Sequence, residues 1–392
     1  MVMENFIYDT PTKIYFGKGQ IKHLSSLVNE FGNRVLLVYG GGSIKENGIY
    51  DQVLRLLPKA DITELSGVEP NPRIETVRKG AKLCQDNQID VVLGVGGGSV
   101  IDCSKVIAAA SKYDGDAWDL VKNPNLIQDA LPILAILTAS ATGTEMNFKG
   151  VISNMETNEK IGTGNKHTYP YASICDPTYT YTVSPFQTAA GTADIMSHTF
   201  EIYFQSIEGA FIQDRLAEAV IQSCLTYLPI AIKEPKNYEA RSNLMWASTV
   251  GLNGWTRLGK DGGWSCHPLE HPLSAYYDIT HGAGLAVLTP RWMNYILNDE
   301  TVKRFAKMAE VVFGIKKSTD LYDMSNQMIQ KLYEFYLNVG LPMTLPELGI
   351  KDNRHFEAMA SYCEPRLQKA YVPLSKKDAI KIYEACMTSG VN

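Results

Sequence analysis

Four of the seven histidines lie between positions 198 and 281, and an aspartate precedes the first of them. Asp194 and His198 are four residues apart, and His267 and His271 repeat that spacing. On a helix, such pairs share one face with Cβ atoms about 5–6 Å apart, so both side chains can reach one ion. Imidazoles with one carboxylate and no thiolate suit Zn²⁺ or Fe²⁺ and usually leave a coordination position open. These residues, together with His281, therefore predict a metal site rather than ordinary capping or core polar groups.

A glycine-rich turn from Gly96 to Ser99 follows the apolar run 90–95, which is typical of a buried strand. Glycines let backbone N–H groups approach a phosphate closely, and a helix N-terminus favours its negative charge. The turn therefore predicts phosphate binding, with Ser99 as a simple helix cap being the alternative. Ser99 stands where the usual dinucleotide fingerprint has its third glycine, and the turn does not follow the first strand.

A second turn, from Gly40 to Ser43, follows the strand-like run 34–39. The segment Ser43-Ile-Lys-Glu46 could be a capping box, but the adenine ribose of a dinucleotide could also lie here. An acidic side chain at this place would repel a 2′-phosphate, whereas this chain has glycines, a hydroxyl and Lys45. The turn therefore favours NADP(H) over NAD(H).

A third polar segment, Thr138 to Glu145, closes another apolar run. Thr142 and Glu145 have the spacing of a capping box. The hydroxyls could equally hold a cofactor diphosphate or the nicotinamide, and the sequence leaves both alternatives open.

The elements that must position these residues divide the chain in two. Short apolar runs alternate with helical stretches near 48–57, 72–88 and 99–111, which indicates a mostly parallel sheet with helices on both faces. A β-turn region at Gly162–Gly164 leads to a last strand ending at Cys175. After Pro185, which follows the start signal Ser184, only helical periodicity remains, with breaks at prolines such as Pro229 and Pro290. We predict an α/β dinucleotide-binding domain over 1–183 and an all-helical metal-binding domain over 184–392, with a cleft between them.

Composition restricts the class of protein. The formal net charge is −5 and no basic run is present, which argues against nucleic acid or an anionic membrane surface as a partner. The start of the chain lacks the order of a signal peptide, and the most apolar stretch, near 131–137, is too short to span a bilayer. The seven scattered cysteines form no paired spacing and indicate reduced thiols in a cytoplasmic protein.

Over essentially its full length the chain resembles the iron-containing alcohol dehydrogenase family, in its butanol dehydrogenase and NADPH-dependent aldehyde reductase branch. The motifs that carry the resemblance are Thr10–Gly17, Glu69-Pro-Asn-Pro72, Gly96-Gly-Gly-Ser-Val-Ile-Asp102, Thr138–Glu145, Asp194 with His198, and His267-x-x-x-His271 with His281-Gly-x-Gly284. The resemblance implies a metal site in the cleft between the two domains. Its ligands would be Asp194, His198, His267 and His281, with His271 as a non-ligand near the nicotinamide. The cofactor-binding residues that it implies, or that the turns above indicate, are Gly40, Gly41, Gly42, Ser43, Asn71, Gly96, Gly97, Gly98, Ser99, Asp102, Thr138, Thr142 and Lys160.

We therefore expect an NADP(H)-linked alcohol dehydrogenase with one divalent metal, Fe²⁺ or Zn²⁺, that works mainly as an aldehyde reductase. His271 is the expected proton relay, and the resemblance suggests a homodimer. One alternative is a lyase resembling dehydroquinate synthase, although the segment 253–264 offers only Arg257 and Lys260 for a phosphorylated substrate. The other is a non-catalytic NADP-binding metalloprotein, against which the mixed Asp/His ligation speaks.

Overall fold

The computed structural model describes residues 3–260 and 262–391, which form two compact units. The sheet unit comprises residues 9–183 and 235–249. The helical unit comprises residues 3–8, 184–234, 250–260 and 262–391. The chain leaves the sheet unit after Val183, where the sequence suggested a boundary. The return of residues 235–249 to the sheet unit was not foreseen.

The strands of the sheet unit form a parallel sheet and a separate antiparallel hairpin. In chain order they are β1 Lys13–Phe16, β2 Arg34–Tyr39, β3 Asp61–Leu65, β4 Val91–Gly96, β5 Ile133–Leu137, β6 Gly150–Asn154, β7 Glu159–Thr163 and β8 Ala172–Cys175. The sheet order is β1-β8-β5-β4-β2-β3, with every neighbouring pair parallel, and β6 pairs with β7. The predicted parallel sheet is confirmed.

The β6–β7 hairpin corrects one prediction. Gly162 and Thr163, which the sequence placed in a turn, end strand β7. Gly164 follows with a φ of 122°, a left-handed conformation that favours glycine. The short hairpin was missed because its strands carry few of the apolar residues by which strands are recognised in a sequence.

Helices of the sheet unit pack on both faces of the sheet. They are α1 Leu24–Asn29, α2 Ser43–Glu46, α3 Ile49–Leu56, α4 Ile74–Asp86, α5 Gly98–Ala110 and α6 Ala117–Lys122. Successive side chains of β2 alternate between the two faces, so that Val35 and Leu37 join one apolar cluster and Leu36 and Val38 the other. A strand buried on both faces must be apolar throughout, which is why the sequence located β2 correctly.

After Ser184 the described residues form helices joined by loops, short 3₁₀ turns and one isolated β-bridge. The helices are α7 Pro185–Tyr203, α8 Phe211–Lys233, α9 Tyr238–Leu252, α10 Cys266–Tyr277, α11 His281–Ile296, α12 Val302–Val311, α13 Leu321–Asn338, α14 Phe356–Leu367 and α15 Lys376–Ala385. The start of α7 is confirmed, since Ser184 Oγ accepts a hydrogen bond from the Gln187 amide at 3.2 Å. The breaks expected at Pro229 and Pro290 are wrong, because both prolines lie inside helices. Tertiary packing of buried neighbours holds these helices together despite the lost hydrogen bonds.

Helix α8 is long and apolar enough to cross a membrane by length and composition, with a mean hydropathy of 1.2. The sequence pattern had placed the most apolar stretch near 131–137, which is too short to span a bilayer, and had not pointed to α8. A core helix of a soluble protein passes the same test, and α8 contributes Ala217, Ile221 and Cys224 to the buried interior.

Candidate metal and cofactor sites

Three helices of the helical unit bring the predicted metal ligands together. Helix α7 carries Asp194 and His198 one turn apart, α10 carries His267 near its start, and α11 begins at His281. Asp278 ends α10 with a φ of 50°, and this left-handed residue starts the short turn into α11. The turn makes His281 approach His267 although the two are far apart in sequence.

The ligand atoms converge on one carboxylate oxygen. Asp194 Oδ1 lies 3.3 Å from His198 Nδ1, 3.5 Å from His267 Nε2 and 3.8 Å from His281 Nε2. Asp194, His267 and His281 form a group whose ligand atoms all lie within 4.8 Å of one another. His198 adjoins this group, with its ring stacked on that of His267 at 4.2 Å between centroids. The structure therefore unites all four predicted ligands, and His198 is the one outside the tightest group.

The donor atoms of this set fit a bound cation. Among the buried side-chain atoms that the structure describes, Asp194 Oδ1, His198 Nδ1 and His267 Nε2 have no hydrogen-bond partner. Buried polar atoms without partners are costly, and three that face one another would be satisfied together by a divalent metal. A set of imidazoles and one carboxylate without a thiolate suits Fe²⁺ or Zn²⁺.

Two buried glutamates that the sequence analysis missed orient the histidine rings. The Nδ1 atom of His267 contacts the Glu201 carboxylate, and that of His281 contacts the Glu270 carboxylate. An Nδ1–H that donates to a carboxylate leaves the Nε2 lone pair free for a metal and makes the ring a more basic ligand. Glu201 also accepts from the Cys266 amide at 2.6 Å and so caps the start of α10.

A signal for both glutamates was present in the sequence. Glu201 follows Asp194 and His198 at positions i+7 and i+3, on the same helical face. Glu270 lies within the His267-to-His271 segment, in a helix whose other buried residues are mostly apolar. A carboxylate at such a position needs a partner, and a metal-bound histidine is a common one.

The charges within this cluster are strongly coupled. Burial raises the pKa of Asp194, but the imidazoles around it outweigh burial and leave the pKa below its ordinary value. Burial lowers the pKa of His198 to about 4, so this ring is neutral near pH 7. Burial also lowers the pKa of His267, but Glu201 and Asp194 reverse the effect and raise it to about 9. Without a metal, a proton on His267 offsets part of the negative charge.

His271 lies beside the metal cluster rather than at its centre. Its ring centroid is 5.7 Å from that of His281 and 6.3 Å from that of His267. It belongs to a second group of ligand atoms with Glu270 and His281. His271 is half-buried, so it could exchange protons with solvent. The relay role remains a prediction that this position permits.

The predicted phosphate turns lie at the carboxyl edge of the sheet. The chain passes from β2 to β3 on one side and then to β4 on the other side of β2. Ligands of open α/β sheets bind at such a reversal of strand order, outside the carboxyl ends of the strands. The turn from Gly40 to Ser43 follows β2, and the turn from Gly97 to Ser99 follows β4, so the two turns flank this point.

Close contacts link the β4 turn to the segment after β5. A Cβ added at Gly98 would lie 2.7 Å from Thr142 Oγ1, and one at Gly97 would lie 3.3 Å from the Ala139 Cβ. The Thr138 amide donates to the Gly96 carbonyl at 3.0 Å. The glycines therefore permit an approach of two loops that larger residues would prevent. Gly97 caps α5, so Ser99 lies inside the helix and the alternative of Ser99 as its cap is wrong.

Other predicted cofactor residues are paired with one another. Lys160 Nζ donates to Asn71 Oδ1 at 2.9 Å, and Asn71 has a left-handed φ of 55°. The buried Asp102 carboxylate accepts from Thr144 Oγ1 at 2.5 Å and from the Val151 amide at 2.9 Å. Through these contacts Asp102 anchors the segment after β5 and the start of β6. Direct contact of Asp102 with the cofactor remains a prediction.

The turn after β2 differs from one expectation. Gly42 is the cap of α2, with a φ of 116° and no side-chain capping bond, so Ser43 does not form the capping box. The same holds for Thr142, because the short 3₁₀ turn beginning at Thr144 is capped by Gly143. Ser43 is exposed, and no atom lies within 4 Å of a Cβ built at Gly41 or Gly42. The open turn leaves room for a ribose.

The basic residues on which a lyase alternative would depend are already engaged. Lys260 is buried and forms an ion pair with Asp214. Arg257 donates a long hydrogen bond of 3.5 Å to the Gly262 carbonyl. Their positions give no support to a phosphorylated, carboxylated substrate.

Two family profiles match most of the chain. The profile of the family described as "Iron-containing alcohol dehydrogenase" matches residues 11–177. The profile described as "Fe-containing alcohol dehydrogenase family, C-terminal" matches residues 188–387. Together the two profiles cover most of the chain, including every predicted metal ligand.

Proteins with similar sequences or structures are named as alcohol dehydrogenases or aldehyde reductases. NADH-dependent butanol dehydrogenase A of Clostridium acetobutylicum is 56% identical over 91% of this chain and 92% of its own length. NADPH-dependent aldehyde reductase YqhD of Escherichia coli is 38% identical over 89% and 90%. The crystal structure of NADH-dependent butanol dehydrogenase A from Thermotoga maritima matches with a TM-score of 0.93 and 37% identity, covering 99% of this chain and 100% of that one. The chain belongs to the iron-containing alcohol dehydrogenase family and is a nicotinamide-dependent alcohol dehydrogenase.

Proposed function

We propose that this protein is a metal-dependent, NADH-linked butanol dehydrogenase that acts mainly as a reductase of butyraldehyde and similar short aldehydes. The metal part rests on one observation: Asp194 Oδ1, His198 Nδ1 and His267 Nε2 are buried, lie close together and have no hydrogen-bond partner. The substrate and the cofactor form follow the names of the relatives at 56% and 54% identity, both NADH-dependent butanol dehydrogenases.

Residues of the helical unit would hold the metal and set the net charge of the metal site. Asp194 would supply one negative ligand, and His198, His267 and His281 would supply neutral ones. Glu201 and Glu270 would keep two of the rings in the orientation that exposes Nε2. A bound divalent metal supplies Lewis-acid stabilisation of the negative charge that develops on the carbonyl oxygen.

His271 would supply a proton to the product oxygen. A proton relay must lie close to the reacting oxygen and exchange protons with solvent, and the half-buried His271 ring beside the metal cluster is placed for both. Its replacement should change the pH dependence of turnover without removing the metal.

The sequence and the structure favour different cofactors. The sequence favoured NADPH because the turn after β2 has no acid and is followed by Lys45. In the structure, Lys45 Nζ lies 3.9 Å from Glu64 Oε2. The carboxylate offsets the positive charge that Lys45 would otherwise offer to a 2′-phosphate. Relatives named for NADPH or NADP are less similar, at 38%, 31% and 29% identity. We therefore favour NADH.

We also propose a homodimer in the cytoplasm and Fe²⁺ or Zn²⁺ as the metal. The ligand types suit both ions, and the Irving–Williams order favours zinc in vitro whatever the cell supplies.

The decisive experiment is reconstitution of metal-free protein with each ion, followed by NADH and NADPH oxidation with aldehydes from acetaldehyde to octanal and with benzaldehyde. We expect turnover with both ions, and the highest kcat/KM with NADH and a four-carbon aldehyde. Metal-independent turnover would refute the metal part, and a higher kcat/KM with NADPH would refute the cofactor part. No turnover with any aldehyde, despite bound metal and cofactor, would favour a non-catalytic protein.

A further inference from the structure

Four side chains form a cluster beside the turn that follows β2. Tyr39 ends β2, Lys45 lies in α2, Tyr50 lies in α3 and Glu64 lies in β3. We call this set the Glu64 cluster. Lys45 Nζ lies 3.9 Å from Glu64 Oε2, and 5.1 Å and 4.5 Å from the ring centroids of Tyr39 and Tyr50. The Glu64 carboxylate thus faces the lysine that the sequence indicated as a candidate for binding a 2′-phosphate.

Two hydroxyls fix this carboxylate. Tyr39 Oη donates to Glu64 Oε2 at 2.6 Å, and Tyr50 Oη donates to Glu64 Oε1 at 2.6 Å. The hydrogen bond from Tyr39, followed by that from Tyr50, lowers the pKa of Glu64, so it is ionised near neutral pH. Because both oxygens are engaged, Glu64 cannot rotate away from Lys45 without losing charge-assisted hydrogen bonds.

The cluster lies where the adenosine end of a dinucleotide would bind if the proposed function is right. The turn from Gly40 to Ser43 lies between Tyr39 and Lys45 in sequence. Its glycines leave open space, as shown above for Gly41 and Gly42. An NADPH molecule would bring a group of roughly two negative charges to this turn, whereas NADH would bring a neutral hydroxyl.

We propose that Glu64 is the residue that selects NADH over NADPH in this chain. Its fixed carboxylate cancels the charge of Lys45 and places a negative charge close to the site of a 2′-phosphate. NADH carries no charge at this position and is unaffected. This inference rests on the proposed function, since it assumes that the turn after β2 holds the adenine ribose.

The size of the effect follows from the exposure of the pair. The side chains of Lys45 and Glu64 are 49% and 37% exposed, so water and salt screen their interaction. Exposed charge pairs typically contribute up to about 1 kcal/mol, which corresponds to about a fivefold change in a dissociation constant. Glu64 would repel a doubly charged phosphate somewhat more strongly than a single charge. We therefore expect about a five- to tenfold change in the dissociation constant for NADPH.

The test is a comparison of dissociation constants for NADH and NADPH, measured from cofactor fluorescence on the full-length protein without substrate. Glu64→Gln keeps the shape of the side chain and a carbonyl oxygen for one tyrosine, but removes the charge. We expect Glu64→Gln to tighten NADPH binding by about five- to tenfold and to change NADH binding by less than about twofold. The gain should shrink at high salt. Adding Lys45→Met to Glu64→Gln should abolish most of the gain.

Glu75→Gln is the matched control, because it removes the same charge from an exposed glutamate on α4. It should leave the ratio of the two constants unchanged. An unchanged ratio in Glu64→Gln, with the unaltered protein still preferring NADH, would overturn this inference alone. Tighter binding of NADPH than of NADH by the unaltered protein would instead refute the cofactor part of the proposed function, and this inference with it.

Discussion

The Nδ1 atom of His281 and the carboxylate of Glu270 are in hydrogen-bond contact, and Glu270 is completely buried. The pair joins the first residue of α11 to the middle of α10. His267 has the same relationship with Glu201. Two of the four proposed ligands are therefore held by carboxylates that lie behind them, and these glutamates provide the first prediction.

Glu270→Gln should weaken divalent-metal binding by about 10–100-fold, because the neutral amide no longer makes the His281 ring more basic. Competition with a chelator, followed by metal analysis, measures the change. Glu218→Gln is the control, since Glu218 is a buried carboxylate of α8 that contacts Tyr203 and Arg215 instead. Equal loss of metal in both variants would mean that the effect is a general destabilisation.

The roles of His267 and His271 can be separated by substitution. His267→Ala should lose the metal and nearly all activity, because its Nε2 faces Asp194 Oδ1 at 3.5 Å. His271→Ala should keep the metal and show an altered pH profile of kcat. Metal content and pH–rate curves of the two variants are the measurements. Metal loss in His271→Ala with retention in His267→Ala would show that ligand and relay are exchanged.

Metal binding should depend on pH through His267. Its pKa is raised from 6.5 to about 9 in the metal-free cluster, so a metal must displace a proton from it below pH 9. We expect metal affinity to rise as the pH increases from 6 to 9, with a proton released on binding, which calorimetry in buffers of different ionisation enthalpy detects. An affinity independent of pH over this range would contradict the raised pKa.

The same raised pKa has the opposite effect on the stability of the metal-free protein. A group with a raised folded-state pKa contributes stability that is fully present below its unfolded value and lost as the pH rises through its folded value. His267 should therefore stabilise the metal-free fold fully below pH 6.5, with the contribution lost as the pH rises through 9. Thermal unfolding of metal-free His267→Gln beside the unaltered protein isolates this contribution, which should be larger at pH 6 than at pH 10.

Gly98→Ala should impair cofactor binding, because the new Cβ would lie 2.7 Å from Thr142 Oγ1 and would push the two loops apart. We expect the dissociation constant for NADH to increase by about tenfold or more, the effect of roughly 1.4 kcal/mol. Gly162→Ala is the control, since its Cβ would meet Val151 at an ordinary 3.8 Å. Normal NADH affinity in Gly98→Ala would exclude a role for this close approach.

Lys105 provides a test of how the loop after β5 is held. Its buried ammonium donates to the Thr144 carbonyl at 2.7 Å, to Thr144 Oγ1 at 2.6 Å and to the Lys149 carbonyl at 2.7 Å. Lys105→Met should lower the free energy of unfolding by at least about 2 kcal/mol, because it leaves these acceptors without their charged donor. Denaturant unfolding measures the loss. Lys122→Met, on the exposed side of α6, should cost little, and an equal cost would contradict this account.

The sequence by itself determined the chemistry of the sites. The spacing of Asp194 and His198 on one helix placed both side chains on one face, and the local rule needs no knowledge of the rest of the fold. The apolar run of β2 identified a strand buried on both faces, and the glycines after β2 and β4 identified turns that a phosphate could approach.

The tertiary structure alone decided which distant groups meet. The sequence places Glu201 and Glu270 near the predicted ligands, but only the packing of α7, α10 and α11 brings each carboxylate onto the Nδ1 atom of a ligand histidine. The same is true of Glu64, because its partners Tyr39, Lys45 and Tyr50 come from three other elements. Pro229 and Pro290 stayed inside helices because packing outweighed a local signal. Residue type and spacing indicate which chemistry a side chain can perform. Burial and long-range contacts decide which charged groups lie close to it, and the strength of an electrostatic interaction depends on the distance between the two charges.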